Sequence, residues 1–191
     1  MNRFVAINRS KGDGVTAGMF TMSSARIITA FVAVTVIGAC GGSAAGSYFD
    51  TAGPILDSHS RTMTDAEAAM FDATSTGNGA VFAFGGDIST AVTLLPIFRD
   101  TAAAIEGDIA EWDRLDVAGI SEAATEHHSL IREAMSLRLD AMRDGGNALE
   151  EIAGGQISDE VRTMLVDAET AMSEANLRIK TALDRVDLVE D

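Results

Sequence analysis

The chain has 191 residues, 47% of them hydrophobic but only 5% aromatic, with alanine and methionine supplying much of the apolar content. That mixture favours helices over sheets, and the scarcity of alternating β-branched runs excludes an all-β fold. The formal net charge of −15 is uneven: Arg3, Arg9, Lys11 and Arg26 against Asp13 give residues 1–39 a net +3, which leaves −18 on residues 40–191. An acidic body of this kind repels nucleic acid and anionic headgroups, so nucleic-acid binding is disfavoured. Twelve arginines against two lysines match the product of a GC-rich bacterial genome.

The run Ile27 to Ala39, IITAFVAVTVIGA, is uncharged and follows Arg26 and a basic segment. It is too short for a helix that crosses a hydrocarbon core, which needs about 20 apolar residues. Its length is that of a signal-peptide apolar region, and small residues follow it. Ile37-Gly38-Ala39-Cys40 resembles the lipobox of bacterial lipoproteins, in which an aliphatic and two small residues precede the modified cysteine. The resemblance implies cleavage before Cys40, lipidation of its thiol, and a mature protein held on the outer face of the cytoplasmic membrane. Two acyl chains anchor stably where one is marginal. Cys40 is the only cysteine, so its lipidation leaves no thiol for a disulfide or a metal.

The expected organisation is a removed leader at 1–39, a lipidated cysteine and flexible GGSAAGS tether over 40–47, and one helical domain over 48–191. Thr64-Asp65-Ala66-Glu67 has the capping-box pattern and predicts a short helix of about three turns starting there. STGNG at 75–79 reads as a turn.

From Ile88 a 3-4 spacing picks out Ile88, Ala91, Leu95, Phe98, Ala102, Ile105, Ile109 and Trp112 on one helical stripe. Pro96 lies inside it, so either the helix kinks there or its main part starts near Thr93. Ile120, Ala124, His127, Ile131, Ala134, Ala141, Ala148 and Ile152 form a second stripe, interrupted by Arg138 and by Gly145-Gly146, where a bend or break is expected. A third begins after Ser158, a candidate N-cap followed by Asp159-Glu160, and runs through Val161, Leu165, Ala168, Met172, Ala175, Ile179, Ala182, Val186 and Val189. The connections at about 117–120 and 153–157 are short, so neighbouring helices should run antiparallel. The predicted fold is all-α: an up-down antiparallel bundle of three long helices plus a shorter N-terminal one. Phe71, Phe82, Phe84, Phe98 and Trp112 are expected to add bulk to its core.

No pattern identifies a reaction. The chain has no Gly-x-Ser-x-Gly elbow, Ser-x-x-Lys, phosphate loop or His-Glu-x-x-His, and no acidic residue stands three positions before any of its three histidines, as a di-iron bundle would need. Met63 with Met70 and Met135 with Met142 have a spacing that copper(I) ligation can use, but core filling explains them more simply. No metal, no cofactor and no enzymatic activity are expected.

Two features are less bland. Residues 79–98 carry one charge, Asp87, around Phe82, Phe84 and Ile88, a candidate apolar interface. His127, Arg138 and Trp112 are a candidate ligand pocket, with Arg138 on an apolar stripe in need of a carboxylate. The expected function is a non-enzymatic accessory or interaction module of the cell envelope, anchored to the membrane and engaging another envelope or membrane protein, with a homo-oligomer also open. The alternative is a bundle that binds or senses a small molecule or metal ion.

Overall fold

The structure, a computed structural model, describes residues 44–75 and 88–184. It is all-α, with four helices: α1 (Ala44–Ser75), α2 (Ile88–Trp112), α3 (Glu122–Ala153) and α4 (Asp159–Leu183). Among the described residues there is no strand.

Cross-helix pairs fix the topology. Arg99 pairs with Glu150 and Glu106 with Arg143, so the numbers fall along α3 as they rise along α2. Glu133 with Arg178 and Arg138 with Asn176 repeat the relation between α3 and α4. Tyr48, near the start of α1, meets Trp112, the last residue of α2. The helices therefore run up, down, up, down. The exposed ion pairs report this geometry but each contributes only about 0–1 kcal/mol.

The caps follow from the sequence. Ser121 and Ser158 have extended backbones, and their hydroxyls accept from the N–H of Ala124 and Val161. Just beyond the end of α3, Gly155 has φ 81°, and the Gly155 and Gln156 N–H groups donate to the carbonyls of Ile152 and Glu151. Only glycine adopts that left-handed backbone without cost, which is why the chain can turn sharply into α4.

The three stripes bury largely as their spacing predicts: Ala91, Phe98, Ile105 and Trp112 in α2, Ala124 through Ile152 in α3, and Val161 through Ala182 in α4 line the core. The departures have physical reasons. Helix α1 is not short, because its 32 residues make it as long as α3. It takes in Ala44–Ser47 from the expected tether, and Thr64 lies in mid-helix, where its hydroxyl donates to the Ser60 carbonyl instead of capping. Burial of Tyr48, Ala52, Ile55, His59, Met63 and Ala66 holds this helix despite Gly53 and Pro54. Both prolines sit inside helices, and Asp50 and Val92, the residues four positions before them, are exposed. Each proline leaves one backbone carbonyl without its helical N–H partner.

Gly145-Gly146 does not break α3. A Cβ on Gly145 would stand 2.4 Å from Cε1 of Phe98, so glycine here makes room for a core phenylalanine from α2. Two expected core positions lie outside it: Phe71 is 67% exposed, and Ile88, at the first turn of α2, is also exposed. By length and composition α2 is the one described helix apolar enough to cross a membrane; a third of its most apolar window is buried inside the bundle.

Candidate functional site

Apart from Thr74 and Thr101, whose hydroxyls donate to carbonyls of their own helices, the buried polar side chains among the described residues fall into two clusters. The first spans all four helices. Asp108 on α2 accepts from the Ser58 hydroxyl at 3.1 Å through Oδ1, and its Oδ2 lies 3.1 Å from Nδ1 of His59 on α1. The other ring nitrogen of His59 is 3.1 Å from Nη1 of Arg138 on α3, and Nη2 of Arg138 donates to Oδ1 of Asn176 on α4. A guanidinium has donors only, so Nε2 of His59 must accept and the ring proton must sit on Nδ1, donated to Asp108. His59 is therefore a neutral bridge between a buried cation and a buried carboxylate. Arg138 is 3% exposed, and burial pushes its guanidinium down to about 10. Burial likewise holds His59 below the ordinary imidazole range; the Asp108 bond pulls upward, and the facing Arg138 adds to the downward shift.

The second cluster lies near the start of α1, whereas the first is at its middle. Trp112 stacks on His128 with centroids 5.0 Å apart, and its indole N–H donates to the His128 carbonyl. The Tyr48 hydroxyl is 3.2 Å from Nδ1 of His128, while Phe49 meets the His127 ring edge-on at 5.8 Å. Burial raises the Tyr48 phenol and lowers His128, and pushes His127, 2% exposed, down to about 4. Nδ1 of His127 and Nε of Arg138 are buried without a hydrogen-bond partner. Each such group costs about 1–3 kcal/mol.

The residues expected to share one pocket are thus divided. Trp112 and His127 belong to the aromatic cluster; Arg138 is eleven positions from His127, about 16 Å along the helix axis, and serves the four-helix chain. The carboxylate that Arg138 needs is Asp108, reached through His59. Neither His59 nor Asp108 was a sequence candidate, and the only signal was an aspartate between Ile105 and Ile109 on the apolar stripe of α2. Cys40, Phe82 and Phe84 lie outside the described residues; Ile88 is described and exposed.

An open groove of about 300 Å³ runs along α3 and α4 between Arg132, Glu133, Ser136, Leu137, Glu174 and Arg178. Its charges are of both signs and partly spent, since Arg178 pairs with Glu133 and Arg132 with Asp113. Among the described residues no group of three His, Cys, Asp or Glu side chains converges on a metal-sized site. No family model matches the chain, and neither does any curated protein or solved structure.

Proposed function

We propose that the chain is an exported lipoprotein, anchored through Cys40 to the outer face of the cytoplasmic membrane and acting as a non-enzymatic interaction module for another envelope or membrane protein. The observation that carries this reading is the sequence of basic segment, uncharged apolar run and small residues that ends in Ile37-Gly38-Ala39-Cys40. Helix α1 begins at Ala44, four positions after Cys40, so the anchor would hold one end of the bundle close to the bilayer. At 1.5 Å per residue the 32 residues of α1 then carry its far end about 48 Å away. The exposed Phe71, Ile88, Val92 and Ile157 belong to that far end, because α1 finishes, α2 starts and the α3–α4 turn falls there. Exposed apolar side chains favour interaction, although Val117 and Leu177, also exposed, lie toward the opposite end. The binder or sensor reading has less support, since His127, Trp112 and Arg138 divide between two clusters whose polar atoms largely bond one another.

Labelled fatty acid should enter the wild-type chain in cells and be lost in Cys40→Ala; persistent labelling in that variant removes the anchor. Phe71→Asp and Phe82→Asp should keep helix content while weakening crosslinks to a membrane partner. Unchanged crosslinking in both would remove the interface.

A further inference from the structure

All three histidines of the chain lie on the seam where α1 meets the rest of the bundle. His59 projects from α1 onto Asp108 of α2 and Arg138 of α3. His127 and His128 project from α3 onto Phe49 and Tyr48 of α1, with Trp112 of α2 stacked on His128. The α3–α4 seam contains no histidine. We infer that mild acid releases α1 from α2 and α3 while leaving α3 and α4 paired, so that the bundle opens along one chosen seam. The inference does not rest on the lipid anchor.

Protonation is disfavoured at each of the three positions. A protonated His59 would point a second N–H donor at the Arg138 guanidinium, 3.1 Å away, with Asp108 on its other side and Asn176 of α4 bonded only to Arg138. His128 faces the Tyr48 hydroxyl from α1; Asp113 beyond the end of α2 favours its charged form, whereas burial and Arg132 on its own helix oppose it. His127 faces the Phe49 ring and its neighbour His128, which offers no compensating negative charge. Each imidazole is held below its ordinary value, so the docked state binds fewer protons than the released one. Docking strength is therefore complete above about pH 6.5 and falls as pH drops below it.

With His127 at about 4 when docked, this one group favours release about twentyfold more at pH 5 than at neutral pH. The α3–α4 seam responds in the opposite sense: burial, then Asp140 and Asp167, raise Asp144, so protonation there favours the packed state.

Hydrogen exchange of the full chain in mild detergent, followed by mass spectrometry at pH 7.5 and pH 5.0 with intrinsic rates corrected, tests the inference. Peptides from 46–75 should lose at least about tenfold more protection on acidification than peptides from 159–183. Parallel losses in both, or no loss in α1, would overturn it. In His59→Gln the amide can still donate to Asp108 and accept from Arg138 without titrating, and His127→Leu removes the most depressed imidazole. Each variant should narrow the difference between the two sets of peptides; a difference of full size in both would sink the proposal.

Discussion

The pair Gly145 and Gly146 offers a controlled test of packing against propensity, because two adjacent glycines of one helix meet the same phenylalanine differently. A Cβ at 145 would lie 2.4 Å from Cε1 and 2.9 Å from Cδ1 of Phe98, whereas a Cβ at 146 would lie 3.7 Å from the Phe98 Cβ, an ordinary contact. Carbon atoms rest about 3.5–4.0 Å apart, so Gly145→Ala demands a displacement of about 1 Å from a ring that the core encloses on its other sides. Overpacking of this kind costs about 1–3 kcal/mol. Replacing a helical glycine by alanine returns up to about 1 kcal/mol at either position. Gly146→Ala should therefore stabilise the fold by up to about 1 kcal/mol and Gly145→Ala should be neutral to destabilising by about 2 kcal/mol. The propensity gain cancels between the variants, so their difference reads the clash alone. Urea unfolding followed by circular dichroism at 222 nm measures it. Equal stabilities, or a more stable Gly145→Ala, would refute the claim that glycine stands there for Phe98.

Arg138→Met should destabilise by about 3–5 kcal/mol, since it leaves Asp108 buried without its cation, and adding Asp108→Leu should recover part of that loss in a double-mutant cycle. Ser158→Ala should cost about 1 kcal/mol through loss of the α4 cap, with the same unfolding assay as readout. Arg99→Ala, by contrast, should change stability by less than about 1 kcal/mol, because its pair with Glu150 is open to water. A titration of unfolding free energy against pH should show stability declining below pH 6.5 by up to about 3 kcal/mol as His127 approaches its folded value of about 4, and His127→Leu should flatten that limb.

Helices whose apolar positions repeat without interruption were legible in the sequence. The stripe from Val161 and the cap at Ser158 defined α4, and Ala91 to Trp112 defined the buried face of α2. Helix α1 was half hidden because Gly46, Gly53, Pro54, Ser58 and Ser60 dilute its pattern; its burial is decided by neighbours far away in the chain. Propensity likewise misjudged Gly145-Gly146, where the deciding partner is forty-seven positions upstream of Gly145. The polar chain was the least legible feature. Arg138 announced a need, but Asp108, His59 and Asn176 have no mutual spacing that a helical period would reveal, and they meet only once four helices are assembled.

That assembled chain has a consequence for how the helices are set against one another. An interior of Ala, Leu, Ile and Met tolerates a helix that slips by one turn, 5.4 Å, because one methyl contact replaces another. Asp108, His59, Arg138 and Asn176 do not tolerate it: a slip of any one helix strands a charge or a polar group among methyls. The four side chains thus act as a vernier, excluding every longitudinal offset but one from a core whose apolar residues alone would accept several.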